Sequence, residues 1–327
     1  MAFRIFFYIP EGALSGPLPQ GWSDSWDAIH DGYGLTYLMY FALRTQGLEA
    51  ELVHELPQSG IVVGHSCCFQ GINRPSLDLY IICLQYDWRR NAWAQAHITA
   101  NQWQTTPSAL TLPQRLACPG KRYHLIHMPQ LGLIPRSKSR GVRFETLSYF
   151  GLARNLSPEF QTEVWKTELR QLGLDFKIHD QPGKWKDYSG TDAVLAIRSP
   201  ELVKDKPAQK LYNAWHAGTI AILGAEIGFR EERESDLDYL EATNPEQVLA
   251  AVRRLLESAE LRQAMMDNGF QRAKTRTPEL IAEQWANAFR SEILPHAATW
   301  LQKPAIGRRA YLAIRAIRKD MAKLRRR

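Results

Sequence analysis

Short runs of β-branched and aromatic residues alternate with helix-patterned segments along most of this chain, and that alternation constrains the fold more than anything else. Strands separated by helices read as βαβ units around a parallel sheet. In the first half, residues 3–9 form the first strand-like run, closed by Pro10 and a Gly/Pro-rich loop reaching Gly21. Helical spacing over 35–44 stops near Gly47, a glycine placed to end it. Residues 50–54, 61–64 and 79–84 read as further strands, with shorter ones at 97–99 and 123–127.

Residues 128–141 (MPQLGLIPRSKSRG) are Pro/Gly-rich, basic and aperiodic, so they read as a linker or domain boundary. The alternation then restarts. Residues 144–150 form a strand ending at Gly151, and Ser157, Pro158 and Glu159 fit a cap, a first-turn proline and an early acid, predicting a helix to Leu172 stopped by Gly173. Strands follow at 174–178, 192–197 and 219–223, with a helix over 208–217 ended by Gly218, and 245–294 is helical in three pieces. The fold class predicted is α/β, as two Rossmann-like domains (1–135 and 136–294) followed by a helical extension (295–327).

Composition enters as a filter. Of 327 residues, 45% are hydrophobic and 23% charged, which suits a globular core and excludes fibrous and disordered classes. Cys67, Cys68, Cys83 and Cys118 form no C-x-x-C pair and read as reduced thiols of a cytoplasmic protein. The apolar run at the N-terminus is too short for a signal segment, and no stretch reaches the length that spans a bilayer, so an intracellular protein is expected. The net charge of +7 is unevenly placed: residues 308–327 contribute +8, leaving −1 for the rest.

The segment 206–226 (KPAQKLYNAWHAGTIAILGAE) carries the most chemistry. A lysine-bearing loop enters a helix that ends in Ala-Gly and feeds an apolar strand. In open α/β sheets, ligands sit outside the carboxyl ends of strands, where helix N-termini point. Lys206 precedes Pro207 and Lys210 falls one turn into the helix, so both are placed to reach a diphosphate. Asn213, at i+3 from Lys210, offers a donor and an acceptor suited to ribose hydroxyls. The competing reading is a solvated lysine pair on an ordinary helix. No G-x-G-x-x-G and no G-x-x-x-x-G-K-[ST] occurs, so neither dinucleotide nor P-loop fingerprint is present.

The pattern K-P-x-x-K-x-x-N-A-x-x-A-G, then an apolar strand and G-x-E, resembles the donor-binding portion of GT-B glycosyltransferases, and residues 238–273 look like its usual sequel. The likeness covers about 144–292 in detail and the N-terminal half in general organisation only. It implies two Rossmann-like domains facing a cleft, an acceptor-side domain first and a nucleotide-sugar-binding domain second. Nucleotide-sugar epimerases share that fold. Many retaining members of the family-4 type carry two glutamates seven residues apart; Asn213 stands at the second, so stereochemistry stays open.

The resemblance places Gly151, Arg154 and Asn155, in the turn after the first strand of the second half, among the donor-binding groups. Arg198, with Ser199, ends another strand, where a guanidinium suits a diphosphate; a surface salt bridge is the alternative. Glu226, at the mouth of the next strand, is either a sugar-hydroxyl ligand or an ordinary loop acid. In the N-terminal half, HDGYGLTY (residues 30–37) puts two glycines at a helix start. There Asp27, His30 and Asp31 are candidate acid/base groups for deprotonating an acceptor hydroxyl. The alternative is an N-cap at Asp31 beside a surface histidine. His65-Ser66 faces the cleft or packs in the core, and Trp88, Arg89 and Arg90 line an acceptor groove or pack between elements.

Ile314, Ile317, Met321 and Leu324 form one apolar stripe flanked by Arg315, Arg318, Lys319, Lys323 and Arg325. That is a basic amphipathic helix, readable as an anchor to an anionic membrane surface or as a helix packed on the N-terminal domain by the stripe. The combined expectation is a cytoplasmic glycosyltransferase, peripheral at the inner membrane face. It takes a nucleotide sugar as substrate and a glycan or lipid-linked acceptor, with no metal, no other cofactor and no nucleic-acid partner. An epimerase of the same fold and a catalytically silent scaffold are the rivals.

Overall fold

A computed structural model describes residues 3–13, 21, 32–109, 111–112, 120–199 and 204–324, with side chains of the last helix described to Ile317. The chain divides into two compact units, residues 1–126 with 282–327, and residues 127–281.

The first unit is built on a six-stranded sheet. Its strands are β1 (Ile5–Tyr8), β2 (Glu51–Val53), β3 (Ser59–His65), β4 (Asp78–Tyr86), β5 (Ala96–Thr99) and β6 (Lys121–His124), in the order β2-β1-β3-β4-β5-β6. Every neighbouring pair is parallel. The strands read as continuous apolar runs because helices cover both faces of such a sheet. Helix α1 (Gly32–Thr45) starts three residues before its sequence periodicity, at a glycine, and ends before Gly47, whose φ is 75°. Gly32 is required by contact: a Cβ there would lie 1.6 Å from His65 Nδ1. At the far end of β4 the register shifts and Tyr86 takes φ 42°, a bulge that redirects the chain toward Trp88.

The second unit carries β7 (Thr146–Phe150), β8 (Asp175–His179), β9 (Ala193–Ala196), β10 (Ile220–Leu223) and β11 (Leu240–Glu241) in the order β11-β10-β9-β7-β8, again all parallel. The strand order reverses between β7 and β9, which makes the carboxyl ends of these two strands the switch point of the sheet. Helices α2 (Glu163–Gln171), α3 (Gln209–Ala217), α4 (Ile227–Glu232), α5 (Pro245–Glu257) and α6 (Ala259–Ala273) flank it. Leu147, Leu195, Ile222, Trp165 and Val252 share its core.

Two local expectations differ from the structure. The helix expected from Ser157 is a 3-10 turn over Pro158–Gln161, and α2 begins only at Glu163, capped by Thr162. Ser157 spends its hydroxyl on Glu159 and its N–H on the Ile197 carbonyl, so no capping bond starts a helix there. Residues 128–141, expected as a linker or domain boundary, begin just past the division between the units at 126/127, but they do not form a free linker. They pack on the second unit: Ile134 bridges Asp187, and both Arg136 and Arg140 pair with Asp192, whose carboxylate also accepts the N–H groups of Glu145 and Thr146.

The chain then runs through α7 (Pro278–Ala288), α8 (Leu294–Leu301) and α9 (Ala305–Leu324). Residues 282–294, placed with the second half by the sequence boundaries, belong to the first unit. Trp285 donates to the Ile126 carbonyl at 2.8 Å, and His296 Nδ1 lies 2.7 Å from the Tyr80 hydroxyl. No helix among the described residues is long and apolar enough to cross a membrane.

Candidate functional site

The switch point of the second sheet gathers charge. Gly151 follows β7 with φ 143°, a conformation side chains other than hydrogen rarely adopt. A Cβ there would come within 3.0 Å of Lys210 Nζ and 3.1 Å of the Tyr149 hydroxyl, so the glycine keeps open the space that the ammonium occupies. Lys210, in the first turn of α3, sets its ammonium 4.8 Å from the centre of the Tyr149 ring. Burial pushes its pKa well below the usual lysine range, and the charges of Arg198 and Lys206 push the same way against Glu226.

Arg198 comes from the chain just beyond β9, and Glu226 from just beyond β10, at the N-terminus of α4. The two form an ion pair. Glu226 is wholly buried. One carboxylate oxygen accepts from Arg198, and the other, Oε1, has no hydrogen-bond partner among the described residues. Burial raises the Glu226 pKa, opposed by Arg198 and Lys210. Lys206 is held nearby because α4 presents Gly228 to its backbone: a Cβ at 228 would lie 2.6 Å from the Lys206 carbonyl. Among the described residues, three cationic side chains thus gather around one carboxylate at the ends of adjacent strands, an arrangement suited to an anion.

Tyr149, which the sequence reading passed over, belongs to this group. Its hydroxyl donates to the Leu152 carbonyl at 3.2 Å, and burial raises its pKa while the nearby Arg198 lowers it. The available signal was its place two residues before the strand-ending glycine, on one face of β7.

Other sequence candidates fare differently. Arg154 is exposed and Asn155 half-buried, on a 3-10 turn just after Gly151, at the rim; no side-chain bond ties either to the cluster among the described residues. Asn213 is buried one turn along α3, but its amide oxygen accepts the Gln130 N–H at 2.7 Å. That bond ties Gln130 to α3 and uses one of the two lone pairs of the amide oxygen.

Asp27, His30 and Asp31 lie outside the described residues. The helix they precede begins at the switch point of the first sheet, between β1 and β3, where His65 ends β3. His65 is buried. Its Nδ1 accepts the Cys67 N–H and lies 3.0 Å from Cys67 Sγ, and its ring meets Trp88 edge-on at 5.1 Å. Burial lowers its pKa to about 4, with Asp87 pulling the other way. Trp88 and Arg89 are exposed beside it, whereas Trp93 is core, donating to the Ile72 carbonyl. Thr36 of α1 accepts the His65 N–H at 2.9 Å, pinning the helix start to the strand end.

No family model and no curated protein matches the sequence. Solved structures do. HepE of Anabaena in complex with UDP superposes with a TM-score of 0.53 at 13% identity, over 88% of this chain and 100% of HepE. Sucrose-phosphate synthase from Thermosynechococcus elongatus superposes at 0.54 and 12% identity, over 89% and 100% of the two chains. Both are GT-B glycosyltransferases. The chain has the GT-B fold. Its second unit supplies one Rossmann-like sheet of that fold, with the Arg198–Glu226 cluster at the sheet's switch point. Among the described residues of this GT-B chain, no group of three or more His, Cys, Asp or Glu side chains converges as a metal site would require.

Proposed function

We propose that the protein is a glycosyltransferase that moves a sugar from a nucleotide-sugar donor to a hydroxyl acceptor. The second unit is the donor side and the first the acceptor side. The observation carrying this reading is the cluster of Lys206, Lys210, Arg198 and Glu226 at the β7/β9 switch point, with Gly151 leaving backbone open beside it. A diphosphate needs two things here, positive charge and room to approach the main chain, and the cluster supplies both. HepE has been crystallised with UDP and with UDP-glucose, which supports a nucleotide sugar as the ligand of such a site.

In this reading Lys206, Lys210 and Arg198 neutralise the diphosphate and stabilise the charge that grows on it as the glycosidic bond breaks, the task a divalent cation performs elsewhere. Arg154 and Asn155 add contacts at the rim. Glu226 keeps Oε1 for a sugar hydroxyl, and its buried setting makes that acceptor strong. A base among Asp27, His30 and Asp31 takes the acceptor's proton. The acceptor is a surface glycan or a lipid-linked saccharide. Asn213 holds Gln130 through one lone pair of its amide oxygen and offers the other to a ribose hydroxyl.

A thermal-shift screen with UDP-, GDP- and ADP-sugars tests the reading. One nucleotide class raises the melting temperature of the native protein, and Lys210→Ala and Arg198→Ala abolish the rise. No rise with any nucleotide sugar at millimolar concentration would sink the donor site. Conversion of the donor sugar with no acceptor present would assign an epimerase instead.

A further inference from the structure

Helix α9 is split by its packing into two opposite faces. One docks on the first unit: Leu312 is 4% exposed and joins its core, and the Tyr311 hydroxyl donates to the Ala94 carbonyl at 3.0 Å. Arg315 is 1% exposed, lies 4.7 Å from the centre of the Tyr311 ring and donates to its hydroxyl. Arg308 pairs with Asp78 at 2.9 Å.

The apolar stripe read from the sequence is on the other side. Ile306, Ile314 and Ile317 are 78%, 48% and 61% exposed, and Ala310 and Ala313 are exposed with them. At about 100° per residue, positions 306, 310, 313, 314 and 317 fall within an arc roughly 100° wide. The sequence continues that arc at positions 321 and 324, methionine and leucine, as far as the helix runs. Basic positions 309 and 323 flank it on one side, and 318 on the other.

We propose that this outward face lies on an anionic lipid bilayer, with the helix axis in the membrane plane and the docked face carrying the first unit. Charge selects the occupant. Residues 308–327 hold +8, of which Arg308 and Arg315 belong to the docked face, while the rest of the chain sums to −1, so an anionic surface attracts the remaining charge of this helix. An isoleucine-rich arc of this width is buried by acyl chains at the headgroup boundary, whereas a nucleic acid offers it no apolar surface. A second copy docked on the same face would set like charge against like charge. The proposal stands apart from the glycosyl-transfer reading, since no residue of the Arg198–Glu226 cluster takes part.

Co-sedimentation of the full chain with vesicles tests it. Neutral phosphatidylcholine vesicles are compared with vesicles containing about one-third phosphatidylglycerol. Binding is expected on the anionic vesicles only, weakening as salt is raised. Ile314→Glu with Ile317→Glu is expected to lower partitioning at least tenfold, on the order set by two apolar side chains. The melting temperature should stay unchanged, because both side chains are already exposed. No binding to anionic vesicles by the native chain overturns the proposal. So does equal binding by the double variant, or capture by heparin or RNA without vesicle binding.

Discussion

Arg198 and Glu226 form a buried ion pair in which, among the described residues, one of the two carboxylate oxygens is engaged and the other is not. Removing the charge of either partner of such a pair leaves the other desolvated and uncompensated, at about 3–5 kcal/mol. Arg198→Ala and Glu226→Gln are therefore each expected to lower unfolding free energy by about 3 kcal/mol, since each strands the opposite charge. Urea denaturation of both, with Arg198→Ala plus Glu226→Gln as the closing corner of the cycle, checks it. The double variant should be more stable than Arg198→Ala alone.

Lys210 has its pKa depressed by burial and by neighbouring cations, so part of its population sheds the proton at a pH where free lysine keeps it. A bound diphosphate restores the charge. Binding of a nucleoside diphosphate should therefore take up protons above the depressed pKa and none below it, and affinity should fall as pH rises. Calorimetry in buffers of different ionisation enthalpy reads the uptake directly. Lys210→Met should abolish it; an undiminished uptake in that variant would assign the proton to another group.

Gly151→Ala tests the open space beside the ammonium. The substitution meets a φ of 143° and places a Cβ 3.0 Å from Lys210 Nζ. Backbone strain of about 1–3 kcal/mol is expected, along with loss of nucleotide binding as the ammonium is displaced. Alanine at Gly183, with nothing within 4 Å of its Cβ position among the described residues, is the control and should change neither.

The legible parts of the molecule were those written in local spacing. Parallel strands covered on both faces read as unbroken apolar runs, which is why β3, β4, β7 and β10 stood out. Lys206, Lys210, Arg198 and Glu226 could be singled out because the ends of strands and the start of a helix are marked in the chain itself. What stayed hidden depends on partners far along the sequence. Tyr149 joins the site through a lysine 61 residues away, and Asn213 is tied to a backbone N–H 83 residues away. The side of α9 that docks could not be chosen from amphipathicity, because Tyr311, Leu312 and Arg315 form a second buried face that hydropathy spacing does not reveal. Helix α4, only six residues long, is too short to show a period.

Asp192 supplies the pH dependence of stability. Burial alone would raise its pKa, but the hydrogen bonds from Arg140 and the Glu145 N–H, with the charges of Arg136 and Arg140, outweigh it and hold the carboxyl below its ordinary value. A folded pKa lower than the unfolded one gives stability that is present above the unfolded value of 3.8 and lost as pH falls through the folded one. Acid unfolding followed by circular dichroism should show this loss, and Asp192→Asn should remove it. The same variant should cost about 3 kcal/mol at neutral pH by stranding Arg136 and Arg140.

Two truncations separate the halves of α9. Deleting residues 308–327 removes Tyr311, Leu312 and Arg315 from the first unit, together with the Arg308–Asp78 pair, and a buried leucine alone is worth about 2–5 kcal/mol. That deletion should lower the melting temperature and expose apolar surface around Trp300, whose ring meets Tyr311 edge-on at 4.7 Å. Deleting only residues 318–327 keeps the docked contacts while removing most of the basic charge. It should leave the melting temperature and nucleotide binding unchanged and reduce affinity for anionic vesicles. A stability loss as large as that of the longer deletion would mean that residues beyond 317 also pack against the body.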